Sequence, residues 1–217
     1  MTTETTAEAW QRRTTVRGTV DFTMMYVAHD AFRRDLARLD SAGRAGRITS
    51  EDARATWAIF NRQLHLHHAT EDTALWPRVR SAGLTDADEA VLEAMEAEHE
   101  QLDPLLERIE ISFTTAAPDQ AALRDLSALL GHHMAHEEME ALPMVDRVVG
   151  QPGWDAFGRE IRAAQGGIRA GATYLPWVLD EAPEPARRTV LGVLPPPARA
   201  LYRLSWEPRY RRSPHLA

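Results

Sequence analysis

Apolar residues recur every three or four positions along most of this chain, with charged residues between them, so its elements are predicted to be helices. Phe22, Met25, Phe32 and Leu36, interleaved with Arg33, Arg34 and Arg38, predict a first helix from near Val16 to Asp40, stopped at Ser41-Ala42-Gly43. Thr49-Ser50-Glu51-Asp52 is a capping sequence for a second helix through Phe60, Leu64 and Leu75; Pro77 should kink it or end its regular bonding, and Gly83 closes it. Thr85-Asp86-Ala87-Asp88 caps a third helix carrying Leu92, Met95, Leu102 and Leu106, with a bend expected at Pro104. Asp119 caps a fourth, through Leu126 and Leu130 to about Val149, ended by Gly150-Gln151-Pro152-Gly153. The connections are short, which puts successive helices side by side and antiparallel. The expected fold is therefore all-α: an up-down-up-down four-helix bundle over residues 15–152, preceded by a flexible, Thr-rich N-terminus at 1–14.

Residues 153–217 read as an additional helical C-terminal extension. Trp154 to Gly171 has an amphipathic pattern, residues 173–179 form an apolar segment, and Leu191 to Trp206 reads as a Pro-interrupted helix before a basic tip. Trp154, Trp177 and Trp206 call for burial, so the extension should fold over the bundle, as a lid, or form a homodimer contact.

At 217 residues the chain suits one well-cored domain with an appendage. Its net charge of -7 argues against nucleic acid as a partner, four arginines near the tip notwithstanding, and a carboxylate-rich balance suits a cation. With no cysteine, disulfides, thiolate metal sites and Cys nucleophiles are excluded, so any metal must take nitrogen and oxygen ligands. A polar N-terminal stretch and the lack of a long apolar run predict a cytoplasmic protein without a membrane partner.

The histidines change the picture most. His67-His68-Ala69-Thr70-Glu71-Asp72 and His133-Met134-Ala135-His136-Glu137-Glu138 share the skeleton H-x-x-x-E-[DE]-x-x-x-x-P, ending at Pro77 and Pro143. His and Glu four apart leave the same face of a helix. His29 and His99 each lie about one helix upstream of a pair, so the chain is two helix-pair repeats, offset by 70 residues at the lone His and 66 at the pair. In each helix the His takes an apolar position on the inward stripe, which brings all six groups into one layer of the core. A single buried His is ordinarily a hydrogen-bonded core residue. Six such groups without partners would cost about 1–3 kcal/mol each, and a metal removes that cost.

On these residues the chain resembles the hemerythrin-like, or HHE cation-binding, family over about residues 20–150. The resemblance implies a four-helix bundle holding two non-haem, carboxylate-bridged iron ions. It carries ligand roles to His29, His67, Glu71, His99, His133 and Glu137, with each Glu bridging and each iron taking two His. It further implies dioxygen, hydrogen peroxide or nitric oxide as the small-molecule partner.

The chain departs from the oxygen-carrying members in two places. A second His one turn after the third-helix ligand is replaced by Asp103, and the fourth-helix carboxylate is Glu137, four residues after His133 rather than five. The seventh ligand is thus open between His68, Asp103, His136 and Tyr26. By helical phase Asp103 stands about 40° round from His99, His136 about 60° from His133, and His68 about 100° from His67. Some family members use the residue beside the second-helix His, which points to His68. For His136 and Tyr26 a supporting or packing role is expected, and His65 and His132 should face away from the metals. Exchanging His for carboxylate would stabilise ferric iron and tilt the chain from carriage towards catalase- or peroxidase-like decomposition of peroxide. The rival expectations are sensing or binding without turnover, and iron storage or donation.

Overall fold

The computed structural model describes Trp10, residues 18–115 and residues 117–216. The flexible segment expected at 1–14 lies outside the described residues except for Trp10. All regular elements among the described residues are helical. In chain order they are α1 (Thr23–Arg44), α2 (Glu51–Thr70), α3 (Trp76–Ser81), α4 (Asp86–Thr114), α5 (Gln120–His136), α6 (Leu142–Val148), α7 (Gly150–Gln165), α8 (Gly167–Val178), α9 (Glu184–Gly192), α10 (Pro196–Leu201) and α11 (Glu207–Tyr210). Among the described residues no helix is long and apolar enough to cross a membrane.

The helix starts follow local chemistry. Ser50 accepts a hydrogen bond from the Ala53 amide, and Asp119 accepts one from the Ala122 amide. Thr85 and Asp88 form a reciprocal capping box, with Thr85 Oγ1 accepting from the Asp88 amide and Asp88 accepting from the Thr85 amide. Gly83 closes α3 at φ +88°, a backbone region that side chains with a Cβ rarely enter.

Prolines act in two ways. Between α2 and α3 the residues Glu71–Leu75 form a π-helical turn, and Glu137–Ala141 form another between α5 and α6. In each, the residue before the proline bonds back five positions: Trp76 to the Glu71 carbonyl, and Leu142 to the Glu137 carbonyl. A proline has no amide to donate and its ring crowds the carbonyl four residues back, so a wider turn relieves the clash without ending the helix. A third π turn, Tyr202–Trp206, stands in the same relation to Pro208. Pro104 behaves differently: α4 runs through it as α-helix.

The chain divides into two compact units, one of residues 1–31 and 165–213, the other of residues 32–164 and 214–217. In the second unit, α2 and α4 run antiparallel. Trp57 Nε1 donates to Glu110 at 2.6 Å, His99 Nδ1 donates to Asp72, and Arg80 pairs with Glu89 at 2.6 Å, so positions rise along one helix as they fall along the other. Likewise α4 runs antiparallel to α5 and α6 through Arg108–Asp119, His133–Glu98 and Arg147–Asp88. Phe32 on α1 packs edge-on against Phe60, and Arg33 pairs with Glu138 at 3.0 Å. Away from the histidines the core is aromatic: Trp57 stacks on Phe60 and on Phe113, with ring centroids 5.5 Å apart in both cases. The unit also includes most of α7, where Trp154 and Phe157 are buried, and the C-terminal Leu216, whose amide donates to Thr56 Oγ1 at 2.8 Å.

The other unit holds the start of α1 and the helices after α7. Trp177 and Tyr202 are its largest fully buried side chains, and Trp206 is buried as well. Arg187 ties it together, donating to the Leu179 carbonyl at 2.7 Å and to Glu207 at 2.8 Å. The pattern expected to continue from Trp154 to Gly171 breaks at Gly166, where φ is +90°. The segment read as one helix from Leu191 to Trp206 is split by a turn ahead of Pro195.

Candidate metal centre

The last turn of α2 and the π turn after it carry His67, His68 and Glu71; α4 carries Glu98 and His99; the last turn of α5 and its π turn carry His133 and Glu137. All seven side chains are buried. Ser50 and the apolar face of Trp57, Phe60 and Leu64 set the phase of α2, and the π turn then places the Glu71 backbone carbonyl in a five-residue hydrogen bond at the point where its carboxylate turns inward.

His68, Glu71, His99 and His133 each offer one ligand atom, and these atoms lie within 4.8 Å of one another. The imidazoles are packed tightly: His68 stacks on His99 at 4.0 Å between centroids, and His99 meets His133 edge-on at 4.7 Å, with their Nε2 atoms 3.2 Å apart. His67 and Glu137 offer ligand atoms within the same distance of each other. Glu71 reaches to both sides, with Oε1 3.1 Å from His67 Nε2 and Oε2 3.6 Å from His99 Nε2.

Carboxylates hold the outer nitrogens of two of these rings. His99 Nδ1 donates to Asp72 Oδ1 at 2.8 Å, and His133 Nδ1 donates to Glu98 Oε2 at 2.8 Å. Each bond fixes the tautomer that carries its proton on Nδ1, leaving the Nε2 lone pair to face the other ligands. Asp72 is the acidic follower of the first motif. Its counterpart Glu138 pairs with Arg33.

Glu71 is the most informative group. It is completely buried, and neither carboxylate oxygen has a hydrogen-bond partner. Burial above all, then the nearby carboxylates of Glu137 and Asp72, hold its pKa well above the ordinary value. A cation between these groups would remove both penalties, and imidazole with carboxylate is a donor set that suits iron. The residues therefore fit a bound cation, with Glu71 reaching towards imidazoles on both sides.

His29 is fully buried on α1. One turn later on the same unbroken helix, Phe32 meets the His67 ring edge-on at 5.4 Å. Of the alternatives for a seventh ligand, His68 lies in the buried group, whereas Asp103 is exposed on α4. His136 Nδ1 donates to Glu98 Oε1 at 2.8 Å, and Tyr26 packs edge-on against Phe22. His65 and His132 are exposed. Glu98 is the residue the sequence reading missed. It sits beside His99 within Glu96-Ala97-Glu98-His99-Glu100, where three acids in a row of alternate positions hide the one that points inward. Its burial pushes its pKa up, but the hydrogen bonds from His133 and His136 outweigh this and leave it below the ordinary value.

The model of the hemerythrin HHE cation-binding domain matches residues 20–145. No curated protein and no solved structure matches the chain.

Proposed function

The chain belongs to the hemerythrin HHE cation-binding family, and from that premise we propose that it is a non-haem diiron protein that binds or reacts with dioxygen, hydrogen peroxide or nitric oxide. The observation that carries the reading is Glu71: a wholly buried carboxylate with no hydrogen bond, between His67 and His99. When bound, two iron ions would supply the electrons exchanged with the small molecule. In this proposal Glu71, Glu137, His67, His99 and His133 would hold the ions, together with His29, which is assigned by the resemblance. His68 would be the seventh ligand, a choice supported by its ring stacking on His99 inside the buried group and by the exposure of Asp103.

Two chemical outcomes are supported by different features. Five imidazoles with two carboxylates make a His-rich site, which favours reversible binding or sensing. Asp72 and Glu98, as anionic partners of His99 and His133, raise the donor strength of those rings and stabilise the ferric state, which favours peroxide decomposition. Burial excludes bulk water from the ligand layer in either case.

Rapid mixing of the reduced, iron-loaded protein with dioxygen, followed by hydrogen peroxide, distinguishes them. An absorption change that appears with dioxygen and reverses under vacuum establishes binding. Oxidation within minutes, with dioxygen evolved from added peroxide, establishes turnover. Iron that responds to neither and leaves readily to a chelator points instead to storage or donation, and overturns the proposal.

A further inference from the structure

Among the described residues, the buried ligands leave one cluster of possible metal-holding side chains unused. On the outer side of Glu98, away from His133, lie His132 and His136, one turn apart on α5 with ring centroids 6.0 Å from each other. Glu98 Oε1 is 2.8 Å from His136 Nδ1 and 3.7 Å from His132 Nε2, and the three residues offer ligand atoms that all lie within 4.8 Å of one another. Glu140, a turn further along, brings Oε2 to 3.7 Å from His136 Nε2.

We propose that Glu98, His132 and His136 form a second, peripheral site for one divalent transition cation, separate from the buried pair. Two imidazoles and one carboxylate are the donors of an open three-ligand site that keeps a water in the fourth position, and they suit zinc, nickel or copper rather than magnesium or calcium. The cluster is more than an exposed helical His pair. Its carboxylate comes from the neighbouring helix, is only 11% exposed, and is fixed at Oε2 by the bond it accepts from His133 Nδ1, so a preformed oxygen faces the two rings. Orienting His133 needs only that one oxygen. His132, whose side chain is 71% exposed, plays no part in the orientation and leaves an open path for a hydrated ion.

Sharing of Glu98 gives the site a consequence. A cation on Oε1 withdraws charge from the carboxylate and weakens its hold on the His133 Nδ1 proton. Occupancy of the rim would therefore be felt at a ring inside the buried group.

Zinc titration of the iron-loaded full chain tests the proposal, with iron and zinc both counted after desalting. The wild type should take up about one zinc beyond its iron, without losing iron, and His132→Ala should lose that ion. His132 is exposed and outside the buried ligand layer, so the variant should fold and load iron as the wild type does. Equal zinc uptake by the wild type and His132→Ala, or uptake in the wild type only as iron is displaced, overturns the site. If the chain loads no iron, the diiron reading fails. The difference of one zinc between wild type and variant still measures the rim, so the two failures are distinguishable.

Discussion

Asp72 accepts a hydrogen bond from His99 Nδ1 at 2.8 Å across two antiparallel helices, although the Asp72 side chain is 40% exposed and the imidazole is buried. The partner that orients the ring is thus reachable from water, while the nitrogen it frees for the metal is not. Asp72→Ala should lower metal affinity about 10–100-fold without abolishing it, and Asp72→Glu should restore part of the loss. Competition against a buffered chelator measures this. Affinity unchanged in Asp72→Ala would remove the orienting role.

Glu71→Ala and Glu137→Ala should do more harm than Asp72→Ala or Glu138→Ala. The first pair are buried and face ligand nitrogens; Glu138 pairs with Arg33 at 3.0 Å on the flank. Elemental analysis of the four purified variants ranks them, and equal metal loss in all four would contradict the assignment of bridging and flanking acids.

Metal content itself is the third expectation. The wild type should hold about two irons per chain and His133→Ala fewer, because the buried donors fall on two sides of Glu71. One ion at saturation, bound equally well by His133→Ala, would refute a paired site.

A fourth expectation concerns pH. The pKa of Glu71 in the folded metal-free protein is raised above its unfolded value, so across the interval between the two the folded state binds the extra proton. Its contribution to stability is present below the unfolded value and is lost as pH rises through the folded one. Denaturant melts of metal-free protein at several pH values should show this fall, and Glu71→Gln should flatten it. Metal binding runs the other way, because the proton must leave before Glu71 can ligate, so affinity should rise with pH over the same interval. A melt profile identical in wild type and Glu71→Gln would show that Glu71 does not titrate there.

The sequence revealed the repeat, the caps and the inward helical stripes because each is local. It was less informative where two residues of similar phase compete. Asp103 follows His99 by about 40°, which looks inward, but His99 sits at one edge of a stripe centred on Met95, Leu102, Leu106 and Ile109, so a further 40° reaches solvent. His68 lies about 100° from His67 yet is buried, because Trp57 and Leu64 widen the stripe of α2 on that side. The π turns could not be read from the prolines alone, since Pro104 lies in ordinary α-helix. Glu98 escaped because a buried carboxylate is identified by its partners on α5, not by its neighbours in the chain.

Phe60→Ala should cost about 3–5 kcal/mol of folding stability while leaving metal content per folded chain unchanged. Phe60 is fully buried against Trp57 and Phe32, two turns from His67 along α2. A chemical melt and a metal assay on the same preparation report the two quantities; loss of metal from chains that remain folded would show that the aromatic block also sets the ligand geometry.

The Trp57, Phe60 and Phe113 stack gives the bundle an anchor that owes nothing to metal. With that end closed by dispersion and burial, the ligand end can be emptied and filled again as a reversible local event, like changing the charge in a cell without dismantling its casing. Amide protons near Trp57 would then keep their protection on demetallation while those around His99 and His133 lose theirs. For such a protein the supply of cation, rather than a fresh round of folding, would set how many molecules are in working order.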